Sequence, residues 1–306
     1  INAVVSFAMF SSMKPDSMVW IPRFRGMGEI ASFGIFTSLT SVFRKLTITI
    51  PDMIIGKLGT TAQVGMFSRS LGFIQFVSTT IVMGVKPVAL PHLSEVSRGG
   101  GDLNHAYIQA SVMVGGITWP VLAVASVVSL PAIRLFFGNQ WDAAAAPATV
   151  LAYWAMFRTT HIFAGDLLTA IGHEKVLALK EGVIFILYFL SITLAFPSGL
   201  FAVAVIFAIV GFLDLIITTF LLARFTEFRA LMFYRSWITN LVLTFICWSV
   251  AWTIYTQSVG GPGAGLIVVA CALPFVWIGA VYILDHPLKA EITLAFNWFK
   301  TKLDRS

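Results

Sequence analysis

The sequence predicts an all-α, polytopic bundle of about eight membrane-spanning helices, and three observations carry that prediction. Hydrophobic residues make up 58% of the 306 and charged residues only 11%, where a soluble domain carries about 25% charged. The mean hydropathy is +0.88, so the chain cannot cover its surface in water. The charges sit in short clusters between apolar stretches of about 20 residues, the length at which a helix crosses roughly 30 Å of hydrocarbon. Aromatic residues reach 14%, with 27 Phe and 9 Trp, the types that face lipid and its interfaces.

Taken in order, the chain opens in an apolar run, Ile1–Phe10, too short to span. Residues 1–13 read as the end of a preceding transmembrane helix, without the charged leader and cleavage site of a signal peptide. The chain therefore reads as the later part of a longer protein. Eight spans follow, at roughly 30–50, 70–92, 107–131, 144–171, 182–196, 200–222, 237–256 and 265–284. The fifth is short and stops at the turn Phe196-Pro197-Ser198-Gly199, which makes it and the sixth an antiparallel hairpin. The seventh and eighth pair in the same way through Gly260-Gly261-Pro262-Gly263.

Orientation follows from Lys and Arg in alternate loops. Lys14, Arg23, Arg25, Arg98, Lys175, Lys180, Arg224, Arg229, Arg235, Lys289, Lys300, Lys302 and Arg305 collect on one side, 13 in all; Lys57, Arg69 and Arg134 make 3 on the other. That split places both Lys14–Gly28 and the C-terminus in the cytoplasm. After Asp285 the pattern changes. Leu288, Ile292, Ala295, Phe296, Phe299 and Leu303 share one helical face, and Lys289, Glu291, Asn297, Lys300 and Lys302 the other. Residues 286–306 read as an interfacial amphipathic tail on the inner leaflet, or else as a frayed terminus.

The net charge of +6 belongs with that topology and with anionic membrane lipids, and no nucleic-acid partner is expected. Cys247 and Cys271 lie in apolar segments without metal spacing and read as small core residues. No zinc-helix motif, nucleophile elbow, phosphate-cradling loop or acid pair occurs. Catalytic residues, metal and cofactor are all expected to be absent, which points away from an enzyme.

Four cations fall within spans: Arg44, Lys45, Lys86 and Arg158. A charge at the bilayer centre costs roughly 2.5–3.5 kcal/mol even on a lenient scale, so such residues face a partner or a water-filled cavity. Thr37, Ser41, Arg44, Lys45, Thr47 and Thr49 make the first span polar over much of its circumference, and Asp52 follows Pro51 near its outer end. Trp154, Arg158 and His161 share one face of the fourth span at i, i+4 and i+7. Two readings stay open for Arg158, cavity lining or an ion pair with Asp214 in the sixth span. His161 reads equally as a hydrogen-bonded core imidazole or a proton or substrate site. Lys86 either snorkels to the interface or joins a cavity, and Asp166 reads as a cap or ion pair. Pro87, Pro91, Pro120 and Pro147 can bend their helices.

Four stretches, in order, resemble one family. In the segment Asp52–Ser70, Asp52, Ile55-Gly56, Leu58-Gly59, Gly65 and Phe67-Ser68 match a family signature, with Phe67 where Tyr is usual. Leu90-Pro91-His92-Leu93-Ser94, Phe137-Gly138-Asn139-Gln140-Trp141 with Ala144, and Ala170-Ile171-Gly172-His173 with Lys180 follow in register. Together they resemble bacterial polysaccharide-biosynthesis (Wzx-type) flippases of the multidrug/oligosaccharidyl-lipid/polysaccharide exporter superfamily. The match covers about 130 residues and fades after about Phe225.

The resemblance implies two six-helix lobes. Residues 14–29 would be the cytoplasmic inter-lobe linker, 30–225 the six-helix C-lobe and 226–285 an additional two-helix hairpin. The missing N-terminal lobe of the same protein would be a partner, and about six spans are expected upstream. It further implies flipping of a polyprenyl-diphosphate-linked oligosaccharide across a bacterial cytoplasmic (inner) membrane by alternating access, for surface polysaccharide. Arg44, Lys45, Arg158, Lys86, Trp154 and His161 are then candidate substrate-binding residues, with Trp154 stacking on a sugar. Asp52, Asp166 and Asp214 are candidate structural or coupling charges. The alternatives are a cation-coupled multidrug exporter of the same superfamily and a membrane glycan ligase or polymerase.

Overall fold

The computed structural model describes Met9 and residues 27–98, 101–226, 228–258 and 262–303, and of these the side chains at 27, 85–98, 262, 295, 299, 300, 302 and 303 lie outside the description. Among the described residues the chain is helical, with no strand. The helices are α1 (Met27–Leu58), α2 (Thr61–Arg98), α3 (Leu103–Val127), α4 (Ser129–Phe137), α5 (Ala145–Thr160), α6 (Ala164–Ala170), α7 (Glu174–Ala195), α8 (Leu200–Phe225), α9 (Ala230–Gln257), α10 (Pro262–Ile283) and α11 (Leu288–Leu303). All eight expected spans fall on helix. Five of these helices, α3 and α7 to α10, are long and apolar enough to cross a membrane. The preceding helix and inter-lobe linker expected before residue 27 lie outside the described residues, apart from Met9.

Local chemistry explains the breaks. Between α1 and α2, the Thr60 N–H donates to Gln63 Oε1 (2.9 Å) and the Gln63 N–H to Thr60 Oγ1 (3.2 Å). This is a reciprocal capping box, which satisfies donors that a helix start leaves orphaned. The span expected at 144–171 is two helices. Thr159 and Thr160 hydroxyls fold back onto the Met156 carbonyl, and His161 leaves the helical region at φ −109°, ψ 46°. Trp154, Arg158 and His161 therefore do not lie on one continuous helical face. α6 ends at Gly172, with φ +80°. The His173 N–H there reaches Leu168 O and the Gly172 N–H reaches Thr169 O, the pattern of a left-handed C-terminal cap.

The fifth span is longer than its apolar run. α7 starts at Glu174 instead of about residue 182, so Lys180 and Glu181 lie inside the helix with side chains 8% exposed. Lys180 therefore leaves the cytoplasmic loop count. The apolar run underestimates the helix because these two charges are neutralised by neighbours, not by water.

α1 packs along α7, α5 along α8, and α9 along α3. α3 is buried over most of its length, with Pro120 inside it. α5 presents Ala148, Ala152 and Ala155 to its neighbours, small residues of the kind that let membrane helices approach closely. Its Pro147 sits in the first turn, where a missing N–H costs nothing. A second, smaller core joins the hairpin to α3 through Val124, Leu243, Cys247, Val269 and Val281.

α11 begins docked to the bundle, with Leu288 buried and Ile292 packed against that second core. Just before it, buried His286 holds Asn240 Oδ1 at 2.7 Å through Nε2, and its Nδ1 accepts the Leu288 N–H (3.1 Å). Asn240 in turn donates to Val112 O (3.1 Å), so one polar chain ties α11, α9 and α3 together.

Burial lowers the His286 pKa from 6.5 to about 4. The unfolded chain takes up this proton below about pH 6.5 and the folded chain only below about pH 4. Stability from this site is thus complete above 6.5 and lost as pH falls from 6.5 toward 4. Thermal unfolding in detergent should show that decline, and it should flatten in His286→Gln. An unchanged slope in the variant would refute the assignment.

Candidate functional site

A cavity of about 340 Å³ opens between α1, α2, α5, α6, α7 and α8, and its wall carries most of the deep charges. Arg44 Nε donates to Glu181 Oε1 at 3.0 Å, Lys180 Nζ reaches the same oxygen at 3.2 Å, and Lys180 Nζ also meets Asp214 Oδ1 at 2.5 Å. Charge alternates along Arg44, Glu181, Lys180 and Asp214, so each ion lies beside an opposite one from another helix or its own. Lys180 holds both carboxylates, so its removal would leave Asp214 uncompensated and cost about 3–5 kcal/mol, whereas loss of Arg44 leaves Glu181 still paired.

Arg158 stands apart from this chain. Its guanidinium carbon lies 5.0 Å from the centre of the Trp154 ring, a cation–π contact that holds the charge without neutralising it. No carboxylate pairs with it among the described residues, Asp214 being taken by Lys180. Trp154 itself is 2% exposed. Its indole N–H donates to the Tyr188 hydroxyl (2.8 Å), and Phe207 and Gly211 also pack against it. The ring is covered and is a platform for Arg158, not a free surface for a sugar.

The remaining candidates divide. Arg44 and Arg158 share the cavity, and His161 reaches its edge. His161 is buried, with Nδ1 at 2.9 Å from the Tyr107 hydroxyl and Nε2 at 2.8 Å from Thr219 Oγ1, and it stacks on Phe233; this is the hydrogen-bonded core imidazole. Lys45 is exposed on another face of α1 and is not part of the cavity wall. The Lys86 side chain lies outside the described residues. Asp52 accepts from Ser68 Oγ (2.8 Å) across the α1–α2 turn, away from the cavity. Asp166 occupies the first turn of α6, where a helix favours an acid. The hydroxyls of Ser41, Thr47 and Thr49 bond to their own helix four residues back, and of the three only Thr47 lines the cavity.

Sequence reasoning missed Glu181 altogether, although a Lys-Glu pair one residue inside an apolar run was the available signal. It also missed the small residues that admit the site's large ones. A Cβ on Gly211 would lie 2.6 Å from Trp154 Cδ1, and one on Gly165 would collide with Arg44 Nη2.

Two of the motif stretches meet in space, at the end of the bundle that holds the α1–α2 turn. Arg69 lies between the Phe137 and Trp141 rings, at 5.1 and 5.2 Å. Gly65 faces Trp141, Ser70 Oγ donates to Ala144 O (2.7 Å), and Phe67 is fully buried, where a hydroxyl has no role.

Fold and cavity thus define a multi-pass α-helical membrane protein with an ion-paired internal cavity. Residues 1–146 match the family described as Polysaccharide biosynthesis protein. The chain is 24% identical over 230 residues to the teichuronic acid biosynthesis protein TuaB of Bacillus subtilis (strain 168), a stretch covering 74% of this chain and 48% of that protein. The chain therefore spans about half the length of the curated relative it matches. No solved structure matches it. The matches agree with the motifs: the chain is similar to membrane proteins of polysaccharide biosynthesis.

Gly211→Ala should push the Trp154 ring from its seat and cost about 1–3 kcal/mol, the usual penalty for overpacking. Thermal unfolding of the purified variant measures this, and a wild-type midpoint would rule out the contact.

Proposed function

We propose that the protein moves a polyprenyl-diphosphate-linked oligosaccharide across a bacterial cytoplasmic membrane, its cavity serving as the path of the anionic head group. The carrying observation is Arg158, a guanidinium open to the cavity, seated on Trp154 and lacking a carboxylate partner among the described residues. A diphosphate entering a low-dielectric medium needs a fixed cation, and guanidinium offers paired donors to phosphate oxygens. Arg44, whose side chain is 40% exposed, supplies the second. Conversion of one outlook of the cavity to the other would come from rocking this lobe against one contributed by preceding sequence. Lipid and the lipid-linked saccharide are the partners in this reading.

A cation-coupled exporter is the second reading, and one observation favours it: Glu181 and Asp214 line the same cavity. Both carboxylates are engaged by Lys180, and Glu181 also by Arg44. That engagement weighs toward an anionic cargo. A glycan ligase or polymerase would need an outer loop bearing catalytic groups, whereas the connections at 59–60 and 196–199 are short and that at 128–144 is taken up by α4 and a short 3-10 helix.

Arg158→Ala and Arg44→Ala should each abolish surface glycan display in the host while the protein stays at normal level in the membrane. Immunoblotting of membranes and glycan labelling of cells read the two quantities separately. Normal display from both variants would defeat the cationic-cavity reading.

A further inference from the structure

Glu181 occupies an unusual position. Its side chain is 8% exposed and touches two cations, while Arg44, on the cavity side, is 40% exposed. An anion entering the cavity therefore meets a guanidinium already committed through Nε to a carboxylate. If Arg44 is drawn away, Glu181 is not stranded, because Lys180 Nζ remains at 3.2 Å and is itself held by Asp214. The chain of charges can give up one end and stay neutralised at the other.

We propose that Glu181 is a resident counter-ion that the ligand's anionic group must displace from Arg44, which makes the cavity select multiply charged anions over singly charged ones. A monoanion offers Arg44 only what the carboxylate already gives, and it gives up its freedom of motion to do so. A diphosphate carries more charge and more acceptor oxygens, and it can engage Arg44 and Arg158 on the same cavity wall together. Displacement also opens the one ion pair that joins α1 to α7 among the described residues, two helices packed along each other. Arrival of a sufficiently charged head group would thus loosen that contact. The proposal rests on reading the cavity as an anion path.

The test is calorimetric titration of the intact purified protein with inorganic pyrophosphate, with and without excess acetate, a carboxylate like the one Glu181 supplies. Wild type should bind pyrophosphate and ignore acetate. Glu181→Ala should bind pyrophosphate at least about tenfold more tightly, since a neighbouring charge at this range weighs that much or more. Acetate should then pull the variant's affinity back toward wild type. Asp214→Asn removes an equal charge from the same wall but leaves Arg44 paired, and it should show no comparable gain.

Glu181→Gln keeps the side-chain volume and an acceptor for Arg44, and it carries the affinity test if the alanine variant does not fold. Unchanged or weaker binding in a folded Glu181 variant would overturn the proposal, and so would an equal gain in Asp214→Asn. Arg158→Ala separates the two ideas: loss of pyrophosphate binding there supports the anion path independently of Glu181. No pyrophosphate binding by wild type or any variant would defeat the anion path and this proposal with it.

Discussion

The neutralisation of buried charge is the constraint on which the rest of this bundle depends. Lys180, Glu181 and Asp214 sit where hydration is scarce, and a lone ion there costs several kcal/mol. Their order along the contact, with Arg44 at the end, means that α1, α7 and α8 must stand in one register for any of them to be stable. Apolar packing alone is forgiving about rotation and sliding of helices in lipid, because lipid tails are as apolar as the side chains. Ion pairs are not forgiving, and here they fix the helices that wall the cavity.

That same constraint explains which parts of the structure were legible in the sequence. Helix class and the position of the long helices follow from hydropathy, because backbone groups in lipid have to be satisfied within helices, whereas the short helices α4 and α6 do not. The capping box at Thr60 and Gln63 and the turn at Gly172 are local, and local chemistry is written in adjacent residues. Lys180 counts with a loop, and Glu181 goes unnoticed, because a run of hydropathy ends at any charge, paired or not. Their partners lie on α1 and α8, over 30 residues away in sequence from Lys180 in one case and over 100 from Glu181 in the other, as Asp214 and Arg44 show. Periodicity carries no information about such partners. Arg44, Arg158 and Asp214 were visible as deep charges, but not who would pair with whom.

Trp154 shows a second limit. Its spacing from Arg158 in sequence announces the contact between them, and an aromatic ring beside a cation invites a sugar-stacking role. What decides the role is the burial of the ring, with Gly211 of α8 closing in on Cδ1 and Tyr188 of α7 taking the indole N–H. Those are long-range packing facts. The ring is spent on positioning the guanidinium, so the cavity's chemistry comes from Arg158 and not from the tryptophan under it. His161 shows the same logic, since Tyr107, Thr219 and Phe233 enclose it from three other helices.

Family likeness and cavity chemistry are therefore carried by mostly separate residues. The motif residues Gly65, Phe137 and Trp141 converge on one packed corner around Arg69 and the α1–α2 turn, and Asp52 with Ser68 braces it. They specify how α1 ends, how α2 begins and how the short segment before α5 docks on them. The cavity charges Arg44, Arg158, Glu181 and Asp214 stand outside those motifs, and only Lys180 belongs to both groups. A resemblance built on such motifs speaks first to architecture, because the corner can be kept while the cavity wall changes. The argument for an anionic cargo has to rest on the wall itself, on a guanidinium presented to the cavity beside a carboxylate that already balances its neighbour.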